Sequence, residues 1–362
     1  MKKSLLLFVL SICTFAVKAQ VPAGYYNSAQ GLSGYALKSE LSTIITNGHT
    51  AQSYGDLWDA YYTSDIDDYY ENDGTILDIY SENPTNSDPY NFTLGSDQCG
   101  NYNGEGSCYN REHLFPKSWF DDQYPMYTDI HHIYPTDGYV NGQRGNFPFG
   151  EVGNASWTSQ NGTKKGNNIY SYPNAYNGTV FEPIDEFKGD VARVYFYMAT
   201  RYESQIDNWD SNSTNSDIAL NGTTTQVYED WFLDMLLQWH NADPVSQKEI
   251  DRNNEAYIFQ GNRNPYIDNP QYVAEVWTPN LSTEDLNTLT YSIYPNPSQG
   301  RFNISLPSKA EFSYAIYDLN GRLLQQKEKS TSQISVENLA SGLYLLRVSS
   351  AGKTAIKKLV IE

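Results

Sequence analysis

Cys108-Tyr109-Asn110-Arg111-Glu112-His113-Leu114-Phe115-Pro116 is the stretch on which the fold turns, and two more follow it closely. The second is Asp129-Ile130-His131-His132-Ile133-Tyr134-Pro135, and the third is Val140-Asn141-Gly142-Gln143-Arg144-Gly145-Asn146-Phe147. The chain has five histidines (His49, His113, His131, His132 and His240), and three of them fall in these segments. A strand ending in Glu112-His113 turns the two side chains to opposite sides, so one can hold a metal while the other faces a substrate. Glu and Asn oxygens completed by water suit magnesium or calcium better than zinc. A neutral imidazole beside them is the natural general base near pH 7. Together these parts fit metal-assisted phosphodiester hydrolysis. A Glu-His pair alone would serve equally well as structure; the ordered set of three motifs is what narrows the reading.

That ordered set resembles the endonuclease I family, secreted and relatively nonspecific nucleases built on a ββα-metal (His-Me) finger. The resemblance continues through Ala192–Tyr202, a buried-helix pattern, and Gln260-Gly261-Asn262-Arg263-Asn264-Pro265-Tyr266, so it spans residues 35–277. It implies an α+β nuclease domain over 20–279. It also implies Glu112 and Asn141 as ligands of one divalent metal, Mg²⁺ first with Ca²⁺ or Mn²⁺ as alternatives, and His113 as general base. The implied substrate is DNA, with RNA as a further one, cut to a 5′-phosphate and a 3′-hydroxyl by a monomer. Arg144 and Asn146 complete the third motif and bind phosphate or fix the helix. His131 matches a supporting or packing position, and His132 stands where the family commonly has Asn. One departure matters: some members carry a phosphate-stabilising Arg in a cysteine-bearing segment between the first two motifs. Residues 117–128 contain none, so either Arg111, Lys117 or Arg144 takes that role or the role is missing.

Outward from the motifs, charge divides the chain. Its 362 residues hold 24 Lys+Arg and 43 Asp+Glu, a net charge of −19. Residues 290–362 carry nine basic and five acidic residues, whereas residues 20–289 carry 12 and 38. Two bodies of opposite sign read as two domains joined by a linker at 280–290. At 39% hydrophobic and 14% aromatic residues the chain can build a core, which excludes wholesale disorder. The acidity excludes tight binding over a broad basic surface, because phosphate affinity comes largely from Lys and Arg.

The N-terminus has Lys2 and Lys3, an apolar run from Leu5 to Val17, and Val17-Lys18-Ala19. These features predict a signal peptide over 1–19 and a secreted protein with no membrane span. Ile12 before Cys13 argues against a lipoprotein signal. In the exported chain Cys99 and Cys108 remain, nine residues apart, and read as a local disulfide. A metal pair is the alternative, and no CxxC spacing supports it.

The basic C-terminal piece has a β pattern. Phe302, Ile304 and Leu306 alternate with polar residues, and Tyr314–Leu319 meets Arg322–Gln326 across Asn320-Gly321, a hairpin signal. Further strands are expected at Ile334–Val336, Leu343–Val348 and Thr354–Ile361, with a turn at Ala351-Gly352, giving a small all-β sandwich over 291–362. Tyr294-Pro295-Asn296-Pro297, Gly300-Arg301-Phe302, Tyr317–Gly321, Leu339–Tyr344 and Lys357–Ile361 together resemble the C-terminal sorting domain of type IX secretion cargo. The resemblance implies an immunoglobulin-like sandwich read by the type IX secretion machinery. A carbohydrate-binding or adhesive β module is the bland alternative.

The acidic body opens with helical spacing at Leu37, Leu41, Ile44 and Ile45 and again at Leu57, Trp58, Ala60 and Tyr61. Asp65–Gly74 invites a calcium reading but fails the EF-hand template, since Tyr70 stands where Gly is required. It therefore reads as a solvated turn. Two other functional classes stay open: a glycoside hydrolase with paired carboxylates, and a non-catalytic surface adhesin.

Overall fold

Leu37, Leu41 and Ile45 lie buried on one face of helix α1 (Gly34–Thr46), as their spacing predicts, and α2 (Leu57–Ser64) buries Leu57, Ala60 and Tyr61. The computed structural model describes residues 20–278, 291–306, 311–318, 322–330, 333–335, 339–350 and 353–362. The expected signal peptide, the 280–290 linker and the turns at Asn320-Gly321 and Ala351-Gly352 lie outside the described residues. The chain divides into two compact units, Met1–Pro279 and Asn280–Glu362, and the described parts of each have their own apolar core.

In the first unit, strands β1 (Tyr109–His113) and β2 (Ile133–Asp137) pair antiparallel, with Glu112 opposite Tyr134 and His113 opposite Ile133. Helix α3 (Gly138–Arg144) follows β2 directly. A separate antiparallel sheet has the order β3 (Val152–Thr158), β4 (Lys164–Asn168), β5 (Thr179–Glu182). Helix α4 (Lys188–Arg201) is buried all along Gly189–Arg201, the mark of a central core helix. Around it come α5 (Thr214–Ala219), α6 (Asp230–Ala242), α7 (Gln247–Gln260), α8 (Pro265–Asp268) and α9 (Gln271–Trp277), of which α6, α8 and also α1 contact α4.

Residues at both ends of α7 define its limits. Ser246 and Glu249 form a reciprocal capping box at its N-terminus, and Gly261 ends it with a φ of 84°. A Cβ on Gly261 would stand 2.4 Å from the carbonyl oxygen of Gly48, so both the conformation and the close approach require glycine. From α7, Arg252 reaches across to fix the motif region. Its Nε donates to Asp65 Oδ1 at 2.8 Å, and Nη2 donates to the carbonyls of Ile130 and Ile133 at 3.0 and 2.9 Å.

That contact corrects the reading of Asp65–Gly74 as a solvated turn. Asp65 is buried in its ion pair with Arg252, and Asp67 is buried with its carboxylate accepting from the backbone N–H groups of Tyr69, Tyr70 and Glu71. Asp65 and Asp67 turn inward because donors meet them there, while Asp68 and residues 72–74 stay exposed as expected of a solvated turn.

The second unit is all β among its described residues. One sheet has the order β10 (Gln333–Ser335), β7 (Arg301–Ser305), β6 (Ser292–Tyr294). The other has β12 (Lys353–Ile361), β11 (Gly342–Ser350), β8 (Phe312–Tyr317), β9 (Leu323–Ser330). Phe302, Ile304, Ile316, Leu346, Val348 and Leu359 meet in its core. The strands match those expected within a few residues, β9 and β11 running longer than the apolar pattern. No helix among the described residues is long and apolar enough to cross a membrane.

Candidate active site

Alternation along β1 sorts its side chains into two sets. Asn110 and Glu112 turn toward α3, and Arg111 and His113 turn toward an aromatic wall of Tyr54 and Tyr127. Both sets border one open cleft of about 370 Å³, with Lys117 and Asn141 also on its rim. The start of β1 is anchored by the Cys99–Cys108 disulfide, whose Cα atoms are 5.7 Å apart. The Cys108 carbonyl then accepts from Gly138 N at 2.9 Å, and the Asp137 side chain accepts from Val140 N at 2.8 Å, which starts α3 beside the strand.

His113 is buried, and its Nε2 lies 3.3 Å from the Tyr127 carbonyl oxygen. A carbonyl only accepts, so Nε2 carries the hydrogen and Nδ1 keeps its lone pair. Burial first, then His132 and the cations Lys117 and Arg111, hold the imidazole well below its usual 6.5. Only the neutral form is present near pH 7.

Glu112 is also buried. Tyr80 Oη donates to its Oε1 at 3.0 Å, and Arg144 Nη1 stands 3.3 Å from the same oxygen, which leaves Oε2 for the cleft. Burial pushes the carboxyl up to about 7, against the pull of Arg144 and the Tyr80 hydrogen bond. A desolvated carboxylate of this kind gains most from a further cation. Asn141 donates from Nδ2 to Asn110 Oδ1 at 2.7 Å, which orients the amide and leaves its oxygen as acceptor. One carboxylate oxygen and one amide oxygen on a water-accessible cleft fit a hard divalent ion that keeps several waters.

Of the two parts expected of Arg144, binding phosphate or fixing the helix, its contacts support the second. It is 1% exposed and donates to the carbonyls of His113 (2.9 Å) and Leu114 (2.5 Å) while pairing with Glu112. It is a buried strut between α3 and the end of β1. Arg111 is half-buried, with its guanidinium 3.4 Å from the centre of the Tyr54 ring and 4.2 Å from that of Trp58. Lys117 is half-exposed and pairs with Asp122 at 2.7 Å. Asn146 bridges Ser118 and Asn215 and so ties the segment after α3 to its surroundings.

His131 lies away from the cleft. Its Nε2 stands 3.2 Å from the Asn262 carbonyl and its ring 4.5 Å from that of Tyr197. His132 Nε2 donates to the Met126 carbonyl at 2.7 Å, with its ring 5.4 Å from that of His113. Four contributors escaped the sequence reading: Tyr54, Tyr80, Asn110 and the Tyr127 carbonyl. Asn110 stood inside the first motif and shares a strand face with Glu112, so alternation could have found it. The other three reach the site only through tertiary packing.

Comparison with known proteins matches this architecture. The Endonuclease I family model covers residues 33–271, and the secretion system C-terminal sorting domain model covers residues 292–362. The chain is 37% identical over 260 residues to an extracellular ribonuclease of Bacillus amyloliquefaciens, covering 70% of this chain and 78% of that protein. It is 36% identical over 258 residues to an extracellular ribonuclease of Bacillus subtilis (strain 168), with the same coverages. It is also 26% identical over 153 residues to an extracellular deoxyribonuclease of Aeromonas hydrophila, covering 40% of this chain and 50% of that one. The chain belongs to the Endonuclease I family, and it is a secreted nuclease that carries a secretion-system C-terminal sorting domain.

Proposed function

We propose that the cleft hydrolyses phosphodiester bonds of both DNA and RNA with little sequence preference, leaving 5′-phosphate and 3′-hydroxyl ends. The observation that carries this reading is the convergence of Glu112, His113 and Asn141 on one cleft, with the His113 tautomer fixed by the Tyr127 carbonyl. The β1–β2–α3 unit is the ββα-metal finger, and Glu112 and Asn141 hold one divalent ion, Mg²⁺ first. When bound, that ion neutralises charge on the scissile phosphate and the leaving oxygen. His113 Nδ1 takes the proton from the attacking water as the P–O3′ bond breaks. Tyr80 and Arg144 hold Glu112 in place from the protein side. Arg111 and Lys117 are the cations near enough to the cleft to attract phosphate, and Tyr54 and Trp58 keep the Arg111 guanidinium in position.

The nucleophile is water rather than a ribose 2′-hydroxyl, so the chemistry does not depend on the sugar. The names of the relatives, two extracellular ribonucleases and an extracellular deoxyribonuclease, support the same breadth. Residues 1–19 serve as the signal peptide, and the immunoglobulin-like sandwich over 291–362 is the part read by type IX secretion machinery. Digestion of DNA and RNA side by side, with Mg²⁺ and with chelator, tests the activity. Cleavage of both that chelator stops is the expected result. Cleavage undiminished by chelator, or of RNA alone through 2′,3′-cyclic ends, contradicts it.

A further inference from the structure

Outside the cleft, oxygens of Asp67, Glu71 and Glu82 lie within 4.8 Å of one another. In a chain with 43 acidic residues, clustering alone would mean little. Glu82 makes this cluster different. It is fully buried, and neither of its carboxylate oxygens has a hydrogen-bond partner; Oε2 of Glu71 is likewise buried without one. Buried polar groups are almost always satisfied, so an unpartnered carboxylate among carboxylates points to a missing cation. The charged groups that act on Glu82 are Asp88, Asp67 and Glu71, all acidic.

We propose that Asp67, Glu71 and Glu82 form a calcium site, separate from the nuclease cleft and independent of its metal. Oxygens that share a calcium ion at ~2.4 Å stand at most ~4.8 Å apart, and the three carboxylates fall within that limit. An all-oxygen set with three carboxylates suits calcium, whereas magnesium usually takes one or two and retains its waters. Asp67 is already positioned, since three backbone N–H groups hold its carboxylate. A secreted protein meets free calcium at concentrations that fill even modest sites.

The site would also brace the cleft from a distance. Glu82 closes the segment Ile76–Glu82, in which Tyr80 donates to Glu112 Oε1 and Asp78 accepts from Tyr80 N and Asp137 N. Calcium on Glu82 therefore pins the stretch that supports both the metal-ligand candidate and the start of α3.

The test uses the full secreted chain with Glu112→Gln, which weakens the cleft as a metal site, after treatment with chelator. Calcium is added and the melting temperature and bound equivalents are measured, with Tb³⁺ luminescence as a second readout. The expected result is one bound calcium and a rise in Tm of about 5–10 °C at hundredfold excess over Kd. Calcium should also displace Tb³⁺, and magnesium should do much less. Adding Glu82→Gln should remove the calcium response without lowering the calcium-free Tm, because it replaces a buried carboxyl group whose oxygens have no hydrogen-bond partner. Glu71→Gln, at a half-buried position, serves as the second variant and should weaken calcium binding at least tenfold. No calcium-dependent rise in the parent, or a full response retained in both variants, would overturn the proposal.

Discussion

Arg144 stands between Glu112 Oε1 and the carbonyls of His113 and Leu114, all buried, so replacing it leaves Glu112 without its cation and the His113 carbonyl without its side-chain donor, while Tyr80 and Tyr195 still donate to Glu112 and Leu114. Breaking a buried pair from one side costs about 3–5 kcal/mol. Arg144→Met should therefore lower the unfolding free energy by that order in urea titrations. A cation that served only to bind phosphate would instead leave stability intact and raise KM alone. His131 supplies a test in pH. Burial holds its imidazole down to about 4 in the fold, against a usual 6.5 when unfolded. The unfolded chain thus takes up the proton first, and this contribution to stability is present above 6.5 and lost as pH falls toward 4. Each unit in that window removes about 1.4 kcal/mol. The stability advantage of wild type over His131→Asn should shrink steadily from pH 7 to pH 4, the difference cancelling the other titrating groups. A constant difference across the window would contradict the neutral buried state.

At the scale of elements, packing overrides propensity where helices cross. Gly189 lies in α4, where Ala would ordinarily favour the helix by about 1 kcal/mol. Here a Cβ would stand 2.1 Å from the Asp243 carbonyl oxygen at the end of α6, and Gly189 N donates to Asp243 Oδ2 at 2.8 Å. Gly189→Ala should destabilise by about 1–3 kcal/mol in denaturant unfolding, opposite in sign to the propensity. The same distinction explains what was legible in the sequence. α1 and α2 were visible because their apolar residues repeat at 3.6, and the C-terminal strands because theirs alternate. The three motifs located β1, β2 and α3 through their resemblance to a family. The inward turn at Asp65–Glu71 was not legible, since acids read as solvent-facing unless a partner such as Arg252, 187 residues away, is known. Arg144 shows a related limit: a motif reveals that a cation is present but leaves open whether its guanidinium binds phosphate or fixes the helix.

Across the whole molecule, 38 acids against 12 bases over residues 20–289 surround a cleft with two candidate phosphate partners, Arg111 and Lys117. Binding through about two phosphate contacts predicts a slope of log affinity against log salt no steeper than about −2. Repulsion from the acidic body, screened by salt, flattens it further. A steep dependence in KM measured from low to moderate salt would reveal more phosphate contacts than Arg111 and Lys117 supply. The acidity thus fits an enzyme that turns over nucleic acid rather than one that holds it. In the proposed mechanism neutral His113 drives water attack while Glu112 and Asn141 hold the metal beside it. Its most direct test is the initial rate of DNA and RNA cleavage by intact protein and by His113→Ala, with Mg²⁺ at pH 7. The expected result is a fall of about 10²–10⁴ on both substrates, with folding unchanged. Cleavage by His113→Ala at the wild-type rate would contradict it.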